Sequence, residues 1–160
     1  KSDKIFSIRY GKFSTEYSNN YKPKLLEIGT WVNELEGQDI AILAVGNMVN
    51  TALNVASSVK TKYNKNITVI NCRFIKPLDA DLLTDICKNH SHLITMEEGI
   101  KIGGFGSAVM EFLNDEDINI NLKILAIPDS FVDHGARNKL LSDLKLDEVG
   151  LLEQIESIIK

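Results

Sequence analysis

Long apolar runs are missing from this sequence. No stretch approaches the ~20 consecutive apolar residues a membrane-spanning helix requires, and no signal peptide is visible. A basic stripe is missing too. The net charge is −4, with lysines and acids interspersed, which argues against a nucleic-acid surface. Cysteine is scarce: Cys72 and Cys87 have neither metal-ligand spacing nor a C-x-x-C motif. They read as two reduced thiols of an intracellular protein. No internal repeat appears, and no serine or cysteine sits in a recognisable nucleophile context. The first residue is Lys1 rather than methionine, which fits a processed chain or an excised piece. What is present is 160 residues with 44% hydrophobic content, enough for one domain with its own core.

The first segment is polar where a core would be apolar. Ile5–Tyr10 is a short strand-like run ending in Arg9, and residues 11–23 are rich in Ser, Asn and Tyr, as a linker would be. Residues 1–23 therefore read as the tail of a preceding domain plus a linker, and residues 24–160 as the independent core. Leu25–Leu35 is the first strand candidate. Its link to the next run, Glu36-Gly37-Gln38-Asp39, is too short for a crossover and suits an antiparallel neighbour or an edge strand. Ile40–Val45 is continuously apolar, as a central parallel strand should be. Met48–Tyr63 places Val49, Ala52, Leu53, Ala56, Val59 and Tyr63 on one helical face.

Strand and helix then alternate. Ile67–Asn71 reads as a strand. Asp79 is suited to cap a helix that buries Leu82, Leu83 and Ile86. Leu93–Met96 is the next strand, Phe105–Leu113 the next helix, and Leu122–Ile127 the last strand. A loop over Ser130–Gly135 and two helices, Asn138–Leu144 and Asp147–Ile159, complete the chain. Such alternation predicts an α/β fold with a largely parallel sheet covered on both faces.

The residues that could carry chemistry gather around Thr95–Met110. Gly103-Gly104-Phe105-Gly106-Ser107 could hold a phosphate on a helix N-terminus, but it lacks the G-x-G-x-x-G spacing of a dinucleotide site. Close packing of a helix start against the sheet is the plainer reading. Glu97 and Glu98 are adjacent on an extended chain and point opposite ways, so they suit capping the glycine loop, or pairing with Arg73 or Lys76, better than sharing a proton. His134, between Asp133 and Gly135, has the neighbours of an oriented general base, though a polar loop contact explains it as well. His90 and His92 are too few to make a metal site. Arg9 and Lys12 form a small basic pair suited to a phosphate.

The succession of motifs is more specific than any one of them. Ala-Ile-Leu-Ala-Val-Gly-Asn-Met-Val, Asn71-Cys72-Arg73-Phe74-Ile75-Lys76-Pro77-Leu78-Asp79, and His92-Leu93-Ile94-Thr95-Met96-Glu97-Glu98-Gly99 come first. Gly103-Gly104-Phe105-Gly106-Ser107-Ala108-Val109 and Ile127-Pro128-Asp129-Ser130-Phe131-Val132-Asp133-His134-Gly135 follow. This series resembles the C-terminal domain of transketolase-type thiamine diphosphate enzymes, and within them the 1-deoxy-D-xylulose-5-phosphate synthases. The Arg-Phe-Ile-Lys-Pro-Leu-Asp run also suits the β subunits of 2-oxo-acid dehydrogenases, while the Pro-Asp-x-Phe-x-x-His-Gly loop points to the synthases.

The resemblance implies a three-layer α/β/α domain with a five-stranded, mostly parallel sheet whose first strand is antiparallel. It implies an enzyme that joins pyruvate to glyceraldehyde 3-phosphate with loss of carbon dioxide, feeding isoprenoid, thiamine and pyridoxal synthesis. Thiamine diphosphate and Mg²⁺ would be held by the preceding domains in a cytoplasmic homodimer, or in a plastid in a plastid-bearing organism. This piece would bind neither and would be inert alone, bracing its neighbours. The family's substrate-phosphate motif, Arg-Tyr-Pro-Arg-Gly, matches Arg9-Tyr10-Gly11-Lys12-Phe13, where Lys12 keeps the charge but not the guanidinium fork. With the family's strand order, a crevice would open between Gly46–Met48 and Glu97–Gly104, with Gly46, Asn47, Glu97, Glu98, Gly103, Gly104 and His134 as its residues. Other readings are a small-ligand or regulatory module using that crevice, or half of a split transketolase.

Overall fold

Where the chain carries an unbroken apolar run, it forms a strand buried on both faces. Ala41, Ile42, Leu43 and Ala44 are each fully buried. The structure, a computed structural model, describes residues 25–160. In chain order the elements are β1 (Val32–Leu35), β2 (Asp39–Ala44), α1 (Met48–Tyr63), β3 (Thr68–Asn71), α2 (Ala80–Asn89), β4 (His90–Ile100), α3 (Phe105–Asp115), β5 (Asn121–Ile127), α4 (Arg137–Asp143) and α5 (Glu148–Ile159).

The five strands form one sheet in the order β1-β3-β2-β4-β5. β1 runs antiparallel to β3, and the remaining neighbours are parallel. Successive side chains of β2 serve opposite layers. Ile42 and Ala44 join Met48, Ala52, Val59, Leu151 and Ile155 under α1 and α5. Ala41 and Leu43 join Trp31, Leu83, Phe105 and Val109 under α2 and α3. This is the three-layer arrangement expected from the alternating pattern.

Local signals end the helices where the sequence places them. Asn64 closes α1 in the left-handed conformation, with φ of 54°. Asp79 caps α2 by accepting a hydrogen bond from Leu82 N–H at 3.1 Å. Asp147 does the same for α5 through Gly150 N–H at 2.9 Å.

Two boundaries differ from the expected ones. The first strand occupies Val32–Leu35 instead of Leu25–Leu35, because Gly29 turns the backbone at φ +83° and Thr30 N–H bonds back to the Glu27 carbonyl. The short link after it joins strands that are not neighbours: β1 takes the edge position that such a link suits and runs antiparallel to β3. β4 runs well past Met96, to Ile100, and carries both glutamates inside the strand.

Candidate functional site

The strand order reverses between β2 and β4, so the carboxyl end of the sheet at that seam is where an open α/β fold ordinarily takes a ligand. Three features occupy it. Val45 N–H bonds to the Met96 carbonyl at 3.0 Å, bridging the two strands where the crevice would open. Gly46, at φ +59°, turns the chain into α1, and Asn47 stands at the start of that helix without a side-chain capping bond. Opposite them, Glu97 turns inward and is 5% exposed.

Glu97 is the organising side chain of the glycine-rich turn. Its Oε2 accepts from Phe105 N–H at 3.0 Å and its Oε1 from Gly106 N–H at 2.8 Å. Those are two of the free donors of the first turn of α3, in the positive field of the helix end. The glycines make room for this. A Cβ on Gly104 would lie 2.1 Å from the Ile100 carbonyl and 2.9 Å from both carboxylate oxygens of Glu97. A Cβ on Gly106 would lie 2.5 Å from Ile124 Cγ2 and 2.7 Å from Thr95 Oγ1. Ser107 ties the turn shut: its hydroxyl donates to the Lys101 carbonyl at 2.7 Å and accepts from Gly103 N–H at 3.0 Å.

The phosphate reading of the glycine turn fails for this reason, since the amides that would cradle an anion already hold the chain's own carboxylate. Glu98, on the opposite face of β4, is exposed and forms an ion pair with Arg137 at the start of α4. Neither glutamate pairs with Arg73 or Lys76 as the alternative expectation had it. Arg73 instead donates from Nε to the Thr30 carbonyl at 2.8 Å and from its Nη2 to the Thr30 hydroxyl at 2.7 Å. His134 stands exposed in the loop between β5 and α4, three residues before Arg137. The site thus brings Glu97, Gly103 and Gly104 into one turn and fastens the His134 loop to β4 through Glu98, with Gly46 and Asn47 across the Val45–Met96 bridge.

Other titratable groups are committed to structure. Both ring nitrogens of His90 are engaged, Nε2 with Thr68 Oγ1 at 2.8 Å and Nδ1 with the Ile86 carbonyl at 2.9 Å. His92 Nδ1 meets Ser91 Oγ at 3.0 Å. Burial raises the Cys72 thiol, with the negative charge of Asp79 adding to it, and burial pushes Cys87 up to about 11. A thiolate nucleophile is therefore disfavoured at either position. Among the described residues no group of three or more His, Cys, Asp or Glu stands together as a metal would need. A cavity of about 660 Å³ lies at the opposite, amino end of the strands, lined by residues including Gly37, Asp39, Asn66, Ser91, His92 and Ile158. Arg9 and Lys12 lie outside the described residues.

Sequence reasoning missed Arg137, the second role of Asp79, and the closing role of Ser107. Asp79 Oδ2 also accepts from Trp31 N–H at 2.7 Å, fixing the start of β1. The position of Ser107, four residues after Gly103, was the available signal for its role. Arg137 left none, since its partner is 39 residues away.

A doubly covered five-stranded sheet of this order, its first strand antiparallel and the rest parallel, is the architecture that the resemblance implied. The chain belongs to the transketolase C-terminal domain family, whose model, "Transketolase, C-terminal domain", matches residues 29–151. It is 41% identical over 135 residues to the 1-deoxy-D-xylulose-5-phosphate synthase of Mannheimia succiniciproducens, covering 84% of this chain and 21% of that protein. It is 36% identical over 159 residues to the synthase of the same name from Aquifex aeolicus, covering 99% of this chain and 25% of that protein. The chain therefore spans about a fifth to a quarter of the length of the curated relatives it matches. Among solved structures, it resembles a split-gene transketolase, described as an inactive β4 tetramer. That match has a TM-score of 0.76 and 28% identity, and covers 82% of this chain and 43% of that one.

Proposed function

We propose that this chain is the C-terminal domain of a 1-deoxy-D-xylulose-5-phosphate synthase, a transferase that joins pyruvate to glyceraldehyde 3-phosphate with release of carbon dioxide. The observation that carries this is 41% identity, over 84% of the chain, to a protein of that name. In this reading residues 1–23 are the end of a preceding domain plus a linker, and residues 24–160 the closing domain. Arg9 and Lys12 contribute charge toward the aldehyde substrate's phosphate. The complete enzyme is a cytoplasmic homodimer supplying isoprenoid and thiamine synthesis.

Thiamine diphosphate and Mg²⁺ belong to the upstream domains in this reading. The described residues do not fit them: the amides at the start of α3 that could hold a diphosphate are taken by Glu97, and no carboxylate cluster is present to hold a metal. The role left to this domain is to brace its neighbours and support the dimer. The test is the native full-length gene product, incubated with both substrates, thiamine diphosphate and Mg²⁺. Stoichiometric release of carbon dioxide with formation of deoxyxylulose phosphate is expected, and its absence from a folded, cofactor-loaded protein overturns the reading.

The similarity to a split-gene transketolase favours a second reading, in which this chain belongs to a separately encoded half. The mass of the native product separates the two. A polypeptide four to five times larger than this chain supports the synthase, and one about twice its size, as the 43% coverage of the split-gene chain implies, supports the split subunit.

A further inference from the structure

The cavity at the amino end of the strands takes no part in the site described above, and its volume of about 660 Å³ suits a small organic molecule. Ile40 and Ile158 give it an apolar side, and Glu36, Asp39, Lys65, Ser91 and His92 a polar one.

Its wall is fixed by backbone contacts. Gly37 N–H donates to Thr68 Oγ1 at 2.9 Å, and a Cβ on Gly37 would lie 2.3 Å from the Ile67 carbonyl carbon, so the link before β2 is pressed onto the chain entering β3. Ile40 N–H then donates to the Gln38 carbonyl at 2.7 Å, closing a three-residue turn about Asp39, whose φ is +63°. That is the rare hand of the γ-turn, strained for a residue with a side chain. Beside it β4 carries Ser91 as an extra residue, since Asp39 pairs with His90 and Ile40 with His92. Backbone strain of this kind clusters at ligand clamps and active sites.

The groups on the wall are acceptors. Ser91 donates its one hydroxyl proton to the Asp39 carbonyl at 3.2 Å, so at 3.0 Å from His92 Nδ1 the same oxygen accepts. The imidazole proton therefore sits on Nδ1, and neutral His92 keeps a bare lone pair on Nε2. The Glu36 and Asp39 carboxylates hold no hydrogen bond or ion pair among the described residues. Two helices add to the same sign. α1 gives way to Asn64 and α5 ends at Ile159, both on this cavity, and helix carboxyl ends carry partial negative charge. Lys65 is the cation of the lining, while Lys62 and Lys160 are both held by Glu156. Among the described residues no cluster of His, Cys, Asp or Glu is fit for a metal ion, so the complementary charge belongs on an organic molecule.

We propose that this cavity binds a small organic cation, an amine or guanidinium on a short apolar stem. The charge lies against Asp39 and Glu36, and the stem against Ile40 and Ile158. The inference does not depend on which enzyme the chain completes.

The test uses the full-length gene product and three probes, agmatine, spermidine and benzylamine, each titrated into the millimolar range by calorimetry. At least one should bind, one molecule per chain. Asp39→Asn should weaken it about ten-fold, the loss expected for one charge-assisted hydrogen bond. Asparagine tolerates the left-handed backbone of residue 39, so the fold survives this change. Glu111→Gln, exposed on α3, should bind as the wild type does. The bound probe should also slow acylation of His92 by diethylpyrocarbonate, read by peptide mass, while His134 at the other end of the sheet reacts unchanged. Silence from all three probes overturns the proposal, as does binding that Asp39→Asn leaves intact. Tighter binding of inorganic phosphate, lost in Lys65→Ala, overturns it too by making the cavity an anion site. A full-length protein that makes no deoxyxylulose phosphate but binds a probe here removes the synthase reading and leaves the cation site standing.

Discussion

Glu97 fills a helix N-terminus that an open α/β sheet more often leaves to a ligand, and the consequences can be measured residue by residue. Its carboxylate satisfies two donors of α3 from a site that is almost fully buried. Removing it leaves both N–H groups without a partner in a space too small to fill comfortably. Glu97→Ala should therefore cost about 3 kcal/mol of unfolding free energy, and Glu97→Gln less, since the amide oxygen still accepts one bond. Urea titration of each variant reads this directly, and a loss below about 1 kcal/mol for the alanine variant would deny Glu97 its structural role. The thiols give an independent check on burial. With Cys87 raised to about 11 and Cys72 raised further into the core, neither should react with iodoacetamide at pH 7.5 until the chain is unfolded in urea. Prompt labelling of Cys72 in the folded chain would contradict its place beneath the sheet.

α5 is fastened across α1 by a small polar cluster as well as by Leu151 and Ile155. Glu156 Oε1 accepts from Lys62 Nζ at 2.7 Å and from the Tyr63 hydroxyl at 2.6 Å. The bond from Lys62, then that from Tyr63, lowers the Glu156 carboxyl from about 4.5 to about 2. A carboxyl lowered on folding stabilises the fold above its unfolded value, and that contribution disappears as pH falls from about 4.5 to about 2. The melting temperature of the wild type should accordingly exceed that of Glu156→Gln at pH 7, with the gap closing by pH 2. A gap that is constant across that range would mean the cluster does not act through charge. Elements like α1 and β2 were legible in the sequence because their burial patterns are local, a three-and-four spacing and an unbroken apolar run. The neighbour of β1 was not legible. Its place beside β3 depends on Arg73 with Thr30 and on Asp79 with Trp31, contacts that span 43 and 48 residues. At the glycine turn, strand alternation required Glu97 and Glu98 to face apart. Which of them turned inward was decided by the room left at Gly99 and Gly104, where a Cβ would press on the Glu97 carboxylate, and by the distant Arg137.

The molecule as a whole has two apolar cores back to back, one under α1 and α5 and one under α2 and α3, divided by a single sheet. Two cores could unfold separately, in which case the domain would be a poor brace for anything docked on it. The sheet argues otherwise. β2 gives alternate side chains to both cores, so lifting either helical layer exposes a face of the same strand to water. The single tryptophan offers a probe of one core alone. Trp31 is 5% exposed, meets Phe105 edge-to-face at 5.8 Å between ring centres, and donates its Nε1–H to the Phe74 carbonyl at 2.7 Å. Far-UV circular dichroism, by contrast, sums the helices of both layers. The two signals should fall together in urea, with one midpoint and one slope, as a cooperative unit requires. A tryptophan transition that precedes the loss of helix would show the α2–α3 layer leaving first. The carboxyl end of β4, where Glu97 holds the first amides of α3, would then lose that helix before the rest of the domain unfolds.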